Sequence, residues 1–198
     1  MENMDVRNKI SRQFQRTRQL LSDALMTLML EKPYSAITVQ EIADRANVGR
    51  STFYAHYQDK DDLLPSELGR LIEELRQIDS EANDGNTLLP SLGLFRHVQQ
   101  HYPLYKAALI WPRGLDVISK TAQVLLSRNI EKQLETMLAD QQKPSIPLPV
   151  LSDYMAATFV TLLKWWLDNK LASSPERMDE IFKQLVMPGL QAALSRKL

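Results

Sequence analysis

The chain has 198 residues, with 24 basic and 24 acidic side chains giving no formal net charge at neutral pH, and it has no cysteine. That length suits one ordinary hydrophobic core or a small head on a larger body, and the lack of cysteine excludes a disulfide framework and any zinc or thiol site built on sulfur. With no basic start leading into an apolar run and cleavage site, and no stretch of about 20 uninterrupted apolar residues, the expectation is a soluble cytoplasmic protein with no membrane partner.

Charge is unevenly distributed. Residues 1–60 hold nine Lys/Arg against seven Asp/Glu, and residues 61–198 hold 15 against 17. Within the first part, Arg7, Lys9, Arg12, Arg16 and Arg18 form a run without an acid; it can follow a phosphate backbone or simply be a solvated helix face. Residues 1–9 are polar and expected to fray. From 10 to 30, Ile10, Phe14, Leu21, Ala24, Leu25, Leu28 and Met29 recur mainly at threes, fours and sevens, which predicts a helix with one apolar face. Lys32-Pro33-Tyr34-Ser35 ends it, because proline removes a donor and restricts the residue before it.

A tight helical pair follows. Thr38 and Glu41 have capping-box spacing, with Ile37 ahead of them as a hydrophobic staple. Ile42, Ala43 and Ala46 share one face and Val39 lies nearby, while Gln40, Asp44 and Arg45 fall elsewhere. Asn47-Val48-Gly49 supplies a turn, since Asn and Gly both tolerate left-handed backbone. A second helix from Arg50 to Tyr57 turns Phe53 and Tyr57 inward, with Val48 plugging the turn, and offers Arg50, Ser51, Thr52, Tyr54 and His56 outward. These are hydrogen-bonding groups suited to phosphates and base edges. The generic reading is a helix-turn-helix, although two short helices around a Gly turn also occur in many all-helical cores.

The stretch ITVQEIADRANVGRSTFYAHYQDKDDL, residues 37–63, resembles the DNA-binding domain of the tetracycline-repressor family of bacterial transcription regulators. The resemblance covers residues 10–64; the rest matches only in helical architecture. It implies an all-α fold in which an N-terminal three-helix head, residues 1–64, joins a larger helical ligand-binding and dimerisation bundle, residues 65–198. It also implies double-stranded DNA as partner. Gln40 then faces outward from the first helix of the motif, Arg50, Ser51, Thr52, Tyr54 and His56 belong to the recognition helix or its end, and Lys60 contacts a phosphate. Arg50 suits a guanine edge, because its planar fork can be bidentate to O6 and N7, whereas Tyr54 and Lys60 position the protein on phosphates.

Beyond the motif, Asp59-Lys60-Asp61-Asp62 opens a helix carrying Leu63, Leu64, Leu68, Leu71, Ile72 and Leu75, with Pro65 expected in its first turn. Residues 79–90 read as a break. Helices are expected near 88–100 and 103–110, and from 115 to 139 after Trp111-Pro112-Arg113-Gly114. KPSIPLPV, residues 143–150, reads as a connector. Two strongly apolar helices finish the chain, the second opened by Ser173 and Glu176 at capping-box spacing and kinked or broken at Pro188-Gly189. Their apolar surface exceeds one core face, so residues 151–168 and 175–190 are expected to build a homodimer.

Catalytic chemistry is not indicated. His97 and His101 are four apart, but HVQQH lacks the carboxylate of HExxH and has no local third ligand. No Ser-His-Asp set, phosphate-cradling glycine loop or paired carboxylates stand above background, so neither catalytic residues, metal nor cofactor are expected. A small-molecule effector pocket is expected around Phe95, His97, His101, Trp111, Met155 and Phe159. The sequence thus reads as a non-enzymatic, dimeric, sequence-specific DNA-binding regulator, a repressor on a palindromic operator released by an effector. The rival readings are a helical interaction or signalling protein without specific DNA binding, and a small-ligand enzyme or carrier.

Overall fold

The computed structural model describes residues 2–82, 88–110, 114–138 and 144–194, with side chains for 12–79, 88–107, 116–138 and 144–194. Among these there is no strand. The head consists of α1 (Glu2–Glu31), a 3-10 turn (Tyr34–Ala36), α2 (Val39–Arg45) and α3 (Arg50–Tyr54). The body is built from α4 (Lys60–Ala82), α5 (Ser91–Gln100), α6 (Tyr102–Ile110), α7 (Gly114–Met137), α8 (Leu148–Asp168) and α9 (Pro175–Leu194). This is the all-α arrangement of a helix-turn-helix head on a larger bundle.

Several boundaries differ from expectation, each for a local reason. Residues 2–9 are helical rather than frayed, since no Gly or Pro interrupts the chain before Pro33 and most of the residues are acceptable helix formers. Pro65 is the sixth residue of α4, not in its first turn. Its absent N–H costs one helical bond, but Leu63 and Leu64, both buried, hold the helix through it. α4 continues to Ala82, into the expected break, of which residues 83–87 lie outside the described residues. α8 begins inside the proline-rich connector because Pro149 sits at its start, where a missing N–H has no partner to lose. The N-cap hydroxyl of α9 is Ser174, which accepts from the Arg177 N–H at 3.2 Å; Ser173 instead uses its carbonyl to accept from Trp166 Nε1 at 2.9 Å. α9 also passes through Pro188 unbroken, kept in register by buried Val186, Leu190 and Ala193.

In the head, Leu21, Leu25, Leu28 and Met29 of α1 close over Ile37, Ile42, Phe53 and Tyr57, all buried. Phe14, expected on the same apolar face, is 45% exposed. In the body α7 packs along α8 more extensively than any other helix pair, and α5 packs on α9. An aromatic cluster joins these layers: the Phe95 ring lies 4.8 Å from Phe159 and 5.5 Å from Trp166, and Phe159 lies 5.7 Å from Phe182. α4 carries the chain from head to body, and α1 also packs on α6, so the head meets the body at two places.

Candidate nucleic-acid interface and the cavities behind it

The head is shaped by its caps. Thr38 Oγ1 accepts from the Glu41 N–H at 3.3 Å, and Glu41 Oε2 accepts from the Thr38 N–H at 3.0 Å, closing the capping box. Lys32 also binds Glu41, and its ammonium together with the Thr38 donors holds that carboxyl down to about 2. In the turn it is Asn47, at φ 53°, that takes the left-handed conformation, whereas Gly49 is extended as the N-cap of α3. The recognition helix has five residues, not eight; after Ala55 the chain turns so that the Tyr57 hydroxyl can donate to Glu67 at 2.7 Å.

Phe53 is fully buried under α3, and Tyr57 nearly so. Arg50, Ser51 and Tyr54 are exposed, Thr52 is half-buried and Gln40 on α2 is exposed. Arg50 Nη2 lies 3.3 Å from the Tyr54 hydroxyl, with its guanidinium 5.7 Å from the ring centroid, so the two form a weakly held pair on the outer surface. Gln40 donates to Asp44 at 2.7 Å.

Two residues expected at the DNA surface have other partners. His56 is half-buried, with its ring 4.1 Å from that of Phe14, and its Nδ1 is buried without a hydrogen-bond partner among the described residues. Burial, and then the charge of Arg18, lower its pKa, so it is held neutral against α1 rather than offered as a cation. Lys60 Nζ donates to the carbonyls of Tyr34 at 2.8 Å, Ser35 at 3.2 Å and Ile37 at 2.8 Å, and lies 4.8 Å from the centre of the Tyr34 ring. All three of its donors are used to hold the 3-10 turn, so a phosphate must displace a carbonyl to reach it.

The basic run of α1 divides in the same way. Arg12 and Arg16 are exposed, while the side chains of Arg7 and Lys9 lie outside the described residues. Arg18 turns inward, donating to the Tyr57 hydroxyl at 3.0 Å and to Glu67 at 3.1 Å. Glu67, 4% exposed, also accepts from Arg70 at 3.1 Å. Burial and Glu67 together push the Tyr57 phenol up to about 12. Glu67 did not stand out in the sequence, though the signal was there: it is an acid between Leu63 and Leu71 at the four-residue spacing of one helix face.

Two cavities lie behind the head. A narrow, partly open and almost wholly apolar cavity of about 50 Å³ sits between α4, α5, α7 and α8, and a cleft of about 560 Å³ opens between α1, α4 and the α5–α6 corner. Of the expected pocket residues, His97 and Phe159 line the narrow cavity, and His97 and His101 line the cleft. Phe95 and Met155 belong instead to the core, at 0% and 2% exposure, because the aromatic cluster closes over that end of α5 and α8. Trp111 lies outside the described residues. The two imidazoles lie tilted by 40° with centroids 4.4 Å apart; burial, and then the charge of His101, lower His97 to about 4. Among the described residues no three His, Cys, Asp or Glu side chains are grouped to hold a metal ion.

On the far side of the body Val150, Tyr154 and Trp165 of α8 and Leu185 and Met187 of α9 are exposed. The Tyr154 hydroxyl donates to the Leu185 carbonyl at 3.0 Å, tying the two helices together. No helix among the described residues is long and apolar enough to cross a membrane.

A five-residue helix held from below by Phe53 and presenting Arg50 and Tyr54, on a head that leans on an apolar bundle, defines a helix-turn-helix regulator. Comparison with known proteins makes the class specific. Residues 21–66 match the family described as bacterial regulatory proteins, tetR family, and residues 90–188 match a transcriptional regulator C-terminal region. The chain belongs to the tetR family of DNA-binding transcriptional regulators. It is 28% identical over 160 residues to the HTH-type transcriptional repressor KstR of Mycobacterium tuberculosis, a match covering 78% of this chain and 70% of that protein. It is 37% identical over 68 residues to the HTH-type transcriptional regulator YxbF of Bacillus subtilis, covering 34% of this chain but only 18% of that protein. Among solved structures, the TetR transcriptional regulator from Streptococcus agalactiae superposes with a TM-score of 0.55 at 25% identity, covering 89% of this chain and 96% of that one. The dihydroxyacetone kinase operon activator DhaS superposes with 0.57 at 18% identity, over 90% and 98%.

Proposed function

We propose that this protein is a cytoplasmic repressor that binds a palindromic operator as a homodimer and is released by a small effector. The observation that carries this reading is the orientation of α3: Phe53 anchors it, while Arg50, Ser51 and Tyr54 face solvent together. In this reading residues 1–64 form the DNA-binding unit and residues 65–198 the regulatory one. Arg50 leaves its Tyr54 partner to fork onto a guanine edge, Tyr54 then donates to a phosphate, and Ser51, Thr52 and Gln40 supply further contacts. His56 and Lys60 act from beneath, by fixing α1 and the 3-10 turn on which the motif rests.

The exposed apolar face of α8 and α9 supports a two-fold dimer, which sets two heads side by side for half-sites about one DNA turn apart or its multiples. The repressor sense follows KstR, the transcriptional repressor to which the chain is 28% identical over 160 residues. Selection of bound duplexes from a random pool tests the reading: enrichment of an inverted repeat, with binding that weakens as salt rises, is the expected result. A pool without enriched sites sinks it. Sedimentation tests the dimer, since a single 22.7 kDa species at low micromolar concentration contradicts it and a Trp165→Glu chain should shift toward that mass.

A further inference from the structure

One buried polar atom in the head is left without a partner. His56 Nδ1 is shut off from solvent and makes no hydrogen bond among the described residues, although buried polar atoms are ordinarily paired. The imidazole rests on α1, its ring 4.1 Å from that of the partly exposed Phe14. Four residues further along α1 comes the Arg18 tie to Tyr57 and Glu67, and α1 is fully buried only from Leu21 onward. The earlier part of the helix, with exposed Arg12 and Arg16, is thus held to the motif by little besides the Phe14–His56 contact.

A neutral imidazole tolerates that site in the tautomer that leaves Nδ1 bare, whereas a protonated one carries an Nδ1–H that needs an acceptor. None is at hand. On α1 the charge that acts on His56 is the Arg18 guanidinium, and no acid occurs between Asp5 and Asp23. On α4, Glu67 already accepts from Arg18, Tyr57 and Arg70. On the segment of His56 itself, the Tyr57 hydroxyl is turned to Glu67, while Asp59 and Asp62 accept the N–H groups of Asp62 and Gln58 at the start of α4. We propose that the Phe14–His56 contact is an acid-sensitive brace for operator binding: neutral His56 holds the first half of α1, with Arg12 and Arg16, beside α3, and proton uptake at Nδ1 turns the ring out to water, frees that half of the helix and lowers DNA affinity. The brace deepens the regulator reading above and rests on it.

Phe14 and His56 are positioning residues in this scheme, acting on DNA through α1. The sign of the pH dependence follows from the burial. Burial, and then Arg18, lower the folded pKa of His56 from 6.5, so the braced state is complete above pH 6.5 and is lost as pH falls through the lowered value. Apparent affinity then falls with the braced fraction. A histidine that met a phosphate would give the opposite sign, since acid would add a cation to the interface and tighten binding.

The test is binding of the full chain to the inverted-repeat duplex enriched from the random pool, at pH 7.5 and 5.5 and constant salt, beside hydrogen exchange of the free chain at both pH values. One group with a free pKa of 6.5 can move such an equilibrium by at most about tenfold over that interval, so the natural chain should lose about three- to tenfold in affinity. His56→Phe keeps a ring but takes no proton, and its loss should stay below about twofold. Phe14→Ala, a change at a partly exposed ring, should bind more weakly at pH 7.5 and show the same shallow pH response. At pH 5.5 the amides of residues 12–20 should exchange about three- to tenfold faster in the natural chain than in His56→Phe, a gap that closes at pH 7.5. Equal pH responses in the natural chain and both variants, or binding that tightens in acid through His56, overturn the proposal. So does exchange of α1 that ignores His56. A chain that binds its duplex with no such response overturns this inference alone; one that binds no duplex at either pH, yet shows the His56-dependent exchange, keeps the brace and sinks the regulator reading.

Discussion

In the head, polar side chains that leave water are mostly met by partners. Glu67 takes hydrogens from Tyr57, Arg18 and Arg70, Lys60 closes on three carbonyls, and Glu41 completes a cap. In the body, Tyr105 and His97 line the open cleft, their rings 6.3 Å apart, while Val150, Tyr154, Trp165 and Leu185 lie exposed. The head therefore satisfies most of its own groups, the buried His56 Nδ1 excepted, and turns its outer face to a polar partner. The body keeps apolar surface in reserve, which is what a subunit contact requires.

The largest break in that comparison is Phe53→Ala. Removing the fully buried ring beneath α3 should cost about 3–5 kcal/mol in urea unfolding and abolish duplex binding. If the head and body are as differently built as they look, hydrogen exchange in α7 and α8 should change little. Glu67→Ala comes next, at about 2–3 kcal/mol, since it strands Arg18 and the Tyr57 hydroxyl while leaving the arginines some access to water. A loss under about 0.5 kcal/mol would mean that the network is decorative.

Arg50→Ala and Lys60→Ala separate reading from support. The first should lose about 1–3 kcal/mol of discrimination at one base pair with unfolding unchanged. The second should weaken all duplexes alike and lower unfolding stability by about 1–2 kcal/mol, because the turn carbonyls lose their donor. Identical selectivity profiles for the two variants would erase the distinction.

The smallest effect belongs to the body. The folded pKa of His97 is lowered from 6.5 to about 4, so between those values the unfolded chain binds the extra proton. Stability from this group is thus complete above pH 6.5 and is lost as pH falls toward 4, by about 1–2 kcal/mol after allowing for solvent reaching the ring. Urea midpoints at pH 7 and 4.5 for the natural chain and His97→Phe check it; an equal acid loss in both chains assigns the sensitivity elsewhere, with His56, also lowered, the next candidate.

Much of the head was legible along the chain because its signals span no more than a turn or two. The Thr38–Glu41 box, the Ile42–Ala43–Ala46 face, the Asn47 turn and buried Phe53 each depend on neighbours within about four residues, where helix geometry alone dictates who meets whom. The exposed positions of Arg50 and Tyr54 follow from the same periodicity. The body yielded its helices but not its interior. Phe95 and Phe159 have the same apolar spacing logic and are both core, yet Phe159 also lines a cavity and Phe95 does not, since that choice depends on how α5, α7 and α8 are laid together.

By itself, then, the sequence determined an all-helical chain, its recognition motif, its family and the face that motif offers. Tertiary structure alone decided what Arg18, Lys60 and His56 do, because their partners at Glu67, Tyr34 and Phe14 lie 49, 26 and 42 residues away. It also decided that Tyr105 and His97 meet over a hollow. A long cationic side chain can reach a phosphate or a carbonyl equally well, and only the packing of distant helices determines which is within its grasp.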